Sequence, residues 1–493
     1  MNTSDYLLNT TNAEALAFIT KDMQVSYALF RSICARLIVE LRNNNIGFGD
    51  RVAIWGVNTP YWAAAYLAIM KIGAVAVPIS TLISADDFRR NISFAGCKFL
   101  FVDSSLNKRN LSCCSEFPTY ILDDRLLEIG HLDWIVSDPY IDKDSDAALM
   151  FTSGTTSRPR AVRITHRNIQ ANTDSIVKYL ELSSDERMMV ILPFFYCFGT
   201  SLLHTHLRVG ATLVLSNSFV YPETVLDLME TTICTGFAGI PTTFQTLLRN
   251  STFPKRKLPS LRKIQQAGGK LHDALIRELV DSHPLAKVYV MYGQTEATAR
   301  LSYLPPELLA TKLGSIGKGI PGITLSVVKE EDGIPVHPGE IGEIIAIGDN
   351  ISPGYYDDPE ATREKFSKGI LFTEDLAKVD VEGFIYIVDR KSDFIKSYGH
   401  RISSYEIETC VLQIPSVVGA AAVGVPDEYA GEKIKVFVIL SARSTTKPEN
   451  IIEFCHAHLP RHMWPQEIII TPSFPVNAHG KVIKSELRKL GSG

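Results

Sequence analysis

Apolar positions along this chain keep two rhythms, and their alternation is that of a layered α/β protein. Residues 26–43 repeat apolar side chains at helical spacing, whereas 51–55 (Arg-Val-Ala-Ile-Trp) and 99–102 (Phe-Leu-Phe-Val) are short unbroken apolar runs. Such runs predict strands buried on both faces. Strands alternating with helices predict parallel pairing, because a crossover must bring the chain back to the same end of the sheet, so 8–146 implies one α/β layer. The longest apolar stretch, 61–79, is interrupted by Lys71 and Gly73 and closed by Pro78. It predicts a buried helix over 60–72 turning at Gly73 into a buried strand over 74–77, not a membrane span. The alternation goes on through a strand at 147–151, a helix at 168–180, apolar runs at 210–215 and 236–241, and a strand from 288. Between 107 and 139 the pattern is too weak to place elements. Late in the chain it changes to helix 404–413, strands 417–425 and 434–440, and helix 448–457, a compact α+β unit.

With 493 residues, 45% hydrophobic and 21% charged, there is material for more than one core, and at least two domains are expected. A formal net charge of −4 leaves no basic excess for coating nucleic acid or an anionic membrane. No basic segment followed by an apolar core stands at the start, so no secretory signal is read there. The eight cysteines are scattered without a Cys-x-x-Cys pair, which predicts reduced thiols in a cytoplasmic protein. Cys455, His456, His458 and His462 have the side chains of a zinc site, but Pro460 breaks the helix such a site would use, and no metal is expected there.

The chemistry concentrates where strand 147–151 ends. Thr152-Ser153-Gly154-Thr155-Thr156-Ser157-Arg158-Pro159-Arg160 puts five hydroxyls, one glycine and two guanidinium groups into nine residues. Gly154 lets backbone N–H groups approach a ligand, the hydroxyls donate, and Arg158 and Arg160 neutralise charge, which together make a bed for a polyphosphate. An ordinary polar surface turn has the same composition, so composition leaves both readings open. The spacing is not that of the Gly-x-x-x-x-Gly-Lys-Ser/Thr loop. Gly317-Lys-Gly-Ile-Pro-Gly322 has the spacing of a dinucleotide fingerprint, yet Pro321 and the β-branched run after it predict a strand where that motif needs a helix.

The Thr152 loop resembles Thr-Ser-Gly-Thr-Thr-Gly-x-Pro-Lys-Gly, the phosphate loop of the adenylate-forming enzymes: acyl-CoA synthetases, nonribosomal-peptide adenylation domains and luciferases. Further segments follow in that superfamily's order. Leu192-Pro-Phe-Phe-Tyr196-Cys197-Phe198-Gly199 is similar to its Leu-Pro-x-Phe-His-x-x-Gly, and Tyr292-Gly293-Gln294-Thr295-Glu296 to its Tyr-Gly-x-Thr-Glu. Thr373-Glu374-Asp375 resembles Thr-Gly-Asp, Arg390-Lys391-Ser392 the hinge, and Gly480-Lys481-Val482 the terminal Gly-Lys-Ile/Val.

The resemblance runs from about Ser26 to Leu490 and implies roles. Thr152, Ser153, Gly154, Thr155, Thr156 and Arg160 would cradle phosphates. Tyr292 would stack on adenine beside Gly268 and Gly293, Thr295 contact phosphate, and Glu296 hold Mg²⁺. Asp375 would accept hydrogen bonds from the ribose hydroxyls, with Arg390 nearby. Lys481 would be the catalytic cation, acting with Glu296, Thr152 and Arg160. Tyr196, Cys197, Phe198, Phe237, Gly239, Gly269 and Gln294 would line the acid pocket. Tyr196, Cys197 and Phe198 include no acid to hold a substrate amine, which implies a carboxylic acid without an α-amino group, apolar or aryl.

The fold implied is α/β: a large N-terminal domain (1–388) of two α/β layers plus a small β-barrel, binding ATP and the acid, and a mobile α+β C-terminal lid (393–493). The hinge is 389–392, with Ser392 as pivot. The reaction implied uses ATP and Mg²⁺ to make an acyl-adenylate, whose acyl group passes to a thiol. That thiol belongs to coenzyme A or to a separate phosphopantetheine carrier protein, since this chain has no Asp/Glu-Ser-Leu carrier motif. Ser157, Arg160, Ala161, Tyr196, Glu374 and Ser392 depart from the superfamily pattern and keep open a rival reading, a nucleotide-binding protein without catalysis.

Overall fold

The computed structural model describes the chain except residues 1, 10, 11, 129–131, 133, 135–139, 153–158, 442, 443, 477–481 and 493 and the side chain of Arg401. The short apolar runs assemble into two mainly parallel sheets. One has six strands, in the order Thr119–Leu122, Cys97–Asp103, Arg51–Trp55, Val75–Ile79, Asp146–Phe151, Ala161–Thr165, and only its last pair is antiparallel. The Thr152 loop therefore closes a hairpin, with Phe151 opposite Ala161 and the Thr152 N–H donating to the Arg160 carbonyl at 3.0 Å. The other sheet has nine strands, and its parallel centre runs Leu16–Ile19, Thr212–Leu215, Arg187–Val190, Gly236–Gly239, Lys263–Gln266, Lys287–Tyr292. One expectation is corrected here. Leu16–Ile19 precedes the six-stranded sheet in sequence yet pairs with Thr212–Leu215 in the other sheet, so residues 8–146 do not form a single layer.

Buried polar clasps hold the two layers together. The helix Thr3–Leu8 is buried along its whole length and packs on the helices Pro60–Lys71 and Cys197–Val209, one beside each sheet. Lys71, with no exposure, reaches Asp5 Oδ1 at 2.8 Å. A pair buried this deeply adds little net stability, but it admits one register of the helices. Asn58 Nδ2 donates to the Leu192 carbonyl at 2.9 Å, and its Oδ1 accepts from Phe194 N–H at 2.8 Å. That places the aromatic run 194–198 at the join of the layers, beyond the carboxyl ends of the parallel strands, where open α/β sheets bind ligands.

A five-stranded antiparallel sheet follows, with Thr324–Val328, Ile341–Ile347, Ile370–Val379, Phe366–Ser367 and Ile385–Arg390. Beyond it the chain builds the smaller α+β unit: Ile395–Ser397, His400–Ile402, Val417–Asp427 and Gly431–Leu440 antiparallel, Glu467–Ile470 parallel, and helices Ser404–Val411 and Pro448–His458. The weakly patterned region holds the helices Ser104–Arg109 and Leu111–Cys114 and the strand Thr119–Leu122. All eight cysteines are free. Among the described residues no helix is long and apolar enough to cross a membrane.

Candidate active site

The ends of both large sheets, the small antiparallel sheet and the C-terminal unit meet around a cavity of about 470 Å³. The strand Lys287–Tyr292 delivers Tyr292, Gly293, Gln294, Thr295 and Glu296 to its wall. The turn that follows is tight because Gly293 has no Cβ, and one added there would stand 2.0 Å from the Ala299 carbonyl oxygen. Asn350 clamps it by donating to the carbonyls of Ala297 (3.2 Å) and Arg300 (2.7 Å), while Ser352 N–H donates to the Glu296 carbonyl at 2.9 Å. Tyr355, not singled out from the sequence, donates its hydroxyl to Glu296 Oε1 at 2.8 Å. The Arg160 guanidinium lies 5.0 Å over the Tyr355 ring. Thr152 and Arg160 line the same cavity as Glu296, so the flanks of the loop and the carboxylate converge. Ser153, Gly154, Thr155 and Thr156 lie outside the described residues, as do Ser157, Arg158 and Lys481. Lys484, three residues beyond Lys481, lines the cavity.

At the start of the Tyr292–Glu296 stretch, Tyr292 donates its hydroxyl to Asp375 Oδ2 at 2.6 Å, and Arg390 Nε is 3.8 Å from Asp375 Oδ1. Burial works against charge on Arg390, yet the Asp375 and Glu374 carboxylates hold its pKa above the usual range. Glu374 stands where the resemblance leads one to expect glycine, and the structure shows why: its φ is 65°, in the left-handed region. Its carboxylate lies 2.9 Å from Lys365 and 3.6 Å from Arg390. Burial opposes ionisation of Glu374, but Lys365 and Arg390 hold it below the ordinary carboxylate value. Gly268, with φ of 84°, and Gly269 line the cavity beside Ile240. Both amide atoms of Gln294 are buried without a hydrogen-bond partner, which marks them as atoms that a ligand would satisfy.

Of the expected acid pocket, Tyr196, Gly269 and Gln294 line the cavity. Cys197 lies just behind, its Sγ 3.5 Å from Thr295 Oγ1, and burial pushes its thiol up to about 11. Phe198 is buried beneath Arg300, whose guanidinium is 4.0 Å from the ring centre. Phe237 and Gly239 are corrected. Residues two apart on a strand share a face, and this one faces away from the cavity: Phe237 packs edge-on against Phe244, and a Cβ on Gly239 would meet Thr243 at 2.8 Å. Neither lines the cavity.

Exposed Ser392 falls between Ile385–Arg390 and Ile395–Ser397, the last strand of one sheet and the first strand of the next. Just before it, Asp389 Oδ2 accepts from Ser404 N–H (2.7 Å), Ser404 Oγ (2.9 Å) and Ser403 Oγ (3.2 Å) at the start of the helix Ser404–Val411. Lys270 adds a second tie, its Nζ 3.9 Å over the Tyr405 ring. Asp389→Ala is expected to lose about 1–2 kcal/mol of this docking. Limited trypsin digestion should then cut after Arg390 or Lys391 roughly tenfold faster, and an unchanged rate would show that the carboxylate does not hold this segment to the helix Ser404–Val411.

A model of the AMP-binding enzyme family matches residues 8–356, and one of the AMP-binding enzyme C-terminal domain matches residues 406–481. The chain is 30% identical over 515 residues to the putative acyl-CoA synthetase YngI of Bacillus subtilis (strain 168), with 97% of this chain and 94% of that protein covered. Among solved structures, o-succinylbenzoate coenzyme A synthetase (MenE) from Bacillus subtilis, in complex with ATP and magnesium ion, superposes with a TM-score of 0.88 at 28% identity, covering 99% of each chain. ATP-bound MatB from Rhodopseudomonas palustris superposes with a TM-score of 0.91 at 25% identity, again over 99% of each.

Proposed function

This chain belongs to the AMP-binding enzyme family, and on that premise we propose that its cleft activates a carboxylic acid with an apolar or aryl body and no α-amino group. The reaction class is that of an ATP-dependent, AMP-forming acid–thiol ligase, with Mg²⁺ and coenzyme A as its partners in the reaction. What supports the residue roles is convergence. Thr152, Arg160, Glu296, Asp375 and Arg390 border one cavity, in which the Gln294 amide has no partner.

Glu296 suits a hard cation. One carboxylate oxygen is engaged by Tyr355, and the other remains for a metal that prefers oxygen ligands. Mg²⁺ held there supplies positive charge against the polyphosphate. In the first half-reaction a carboxylate oxygen of the acid bonds to the α-phosphorus as the bond to the bridging oxygen breaks and pyrophosphate leaves. The attacking group is already an anion, so no general base is required, and the difficulty is charge. Arg160, and Lys481 from the lid, oppose it. Asp375, with Tyr292 and Arg390 around it, holds the ribose and turns the nucleotide toward the acid. In the second half the sulfur of coenzyme A bonds to the acyl carbon, the thiol proton passes to solvent and AMP leaves. An acyl-adenylate hydrolyses readily, so the lid (393–493), swinging about 389–392 over the body (1–388), serves to exclude water. The eight free cysteines support a place in the reducing cytoplasm.

Acid-dependent exchange of pyrophosphate into ATP, followed by acyl-CoA and AMP production on adding coenzyme A, is the expected result. Tight ATP binding with no exchange for any acid would instead mark a nucleotide binder and sink the proposal.

A further inference from the structure

Gln266 ends the strand Lys263–Gln266 and is 1% exposed, yet it lines the main cavity. Its Nε2 donates to the Gly269 carbonyl at 2.6 Å, across the turn that follows the strand. That bond fixes which way the amide is turned, because the carbonyl would repel the other end. Oε1 is left as an acceptor, and among the described residues nothing donates to it. A buried carbonyl oxygen without a donor is costly, and in the wall of a cavity the expected explanation is a donor that arrives with the ligand.

The surroundings say which donor. Gln266 lies beside Val290 on the neighbouring parallel strand, two residues before Tyr292, whose hydroxyl is bonded to Asp375. This is the side of the cleft given above to the nucleotide. The same stretch of wall is otherwise apolar or bare: Ile240 and Val290 supply hydrocarbon, while Gly268 and Gly269 supply no side chain. Gly268 has no room for one, since its φ is 84° and an added Cβ would stand 2.9 Å from Ile240. Such a slot takes a flat ring and asks it for one hydrogen-bond donor. Adenine has that donor in its C6 amine, where guanine carries an oxygen that only accepts.

We propose that Gln266 selects the base: its Oε1 accepts a hydrogen bond from the C6 amine of adenine, so that ATP is taken in preference to purine triphosphates without that amine. This deepens the ligase reading and rests on it for the placement of the nucleotide.

The test measures equilibrium binding of AMP, of purine riboside 5′-monophosphate, which has hydrogen in place of the amine, and of IMP, which has oxygen there. The wild-type protein is expected to bind AMP about tenfold more tightly than the purine riboside and about a hundredfold more tightly than IMP, whose oxygen would face Oε1. Gln266→Met and Gln266→Leu should each bring AMP and the purine riboside within about twofold of one another. Gln266→Glu should keep most of the preference, because burial favours a protonated carboxyl that donates to Gly269 and still offers an acceptor. A side chain that only held the turn 267–270 would weaken AMP and the purine riboside alike and leave their ratio unchanged in every variant, which would overturn the proposal. Equal wild-type affinity for AMP and the purine riboside would overturn it without any variant, and pyrophosphate exchange with ATP would then still support the ligase reading. Binding of none of the nucleotides would remove that reading, and this inference with it.

Discussion

Replacing Lys481 by alanine is expected to slow acyl-adenylate formation by about a thousandfold while leaving thioester formation from supplied acyl-adenylate within a few-fold of wild type. The asymmetry follows from where charge develops. When an anionic carboxylate meets the α-phosphate, two negative groups are forced together and a cation at that point stabilises only the transition state. Attack of sulfur on the acyl carbon expels AMP and needs no such neutralisation. Lys484 is the control. It also borders the cavity, but its ammonium is 2.7 Å from Glu408, a half-buried carboxylate, and although burial works against its charge Glu408 holds its pKa above the usual range. Lys484→Ala strands that carboxylate, at a cost of about 3 kcal/mol, and should lower thermal stability and both half-reactions together. Equal loss of both half-reactions in the Lys481 variant, measured in single turnovers, would give that lysine a structural task instead.

The same contrast marks what the sequence could reveal. Groups close together in the chain could be placed from it: Thr152 and Arg160 at the flanks of the loop, the Tyr292–Glu296 turn and Asp375 all line the one cavity. Strands such as Arg51–Trp55 and helices such as Tyr27–Asn43 were legible too, since their apolar spacing reports one local geometry. Groups assembled across the fold were not. Tyr355 and Glu296 are 59 residues apart and meet through the packing of two sheets. Lys365 reads as an ordinary helix-end cation until Glu374 is seen beside it, and Arg300 reads as a surface charge until its burial is known. Phe237 faces away from the cavity for a reason the sequence hides in a related way. Both faces of a central parallel strand are buried, so no polar alternation shows which side meets the cleft. Leu16–Ile19 joins the nine-stranded sheet through a pairing with residues nearly two hundred positions away, which no local period encodes.

Glu296→Gln is the second large effect, and its size follows from how the carboxylate is held. Glutamine keeps an oxygen to accept the Tyr355 hydroxyl, 2.8 Å from Oε1 in the native protein, so the side chain should stay in place. What is lost is the negative charge offered to Mg²⁺, a cation that takes its protein ligands mainly from carboxylates. Adenylate formation should fall by about a thousandfold at ordinary Mg²⁺, the Mg²⁺ titration midpoint should move up by about tenfold or more, and AMP binding without metal should be unchanged. Tyr355→Phe removes only the hydrogen bond, so it should cost about tenfold or less in rate. Burial and the neighbouring Glu296 carboxylate hold the Tyr355 phenol far above its ordinary pKa, so at neutral pH it acts as a donor and never as a competing anion. A Glu296→Gln enzyme that kept the wild-type Mg²⁺ dependence would move the metal to another carboxylate, and Asp375 is then the one to examine, because it is the other carboxylate of the predicted site on the same cavity.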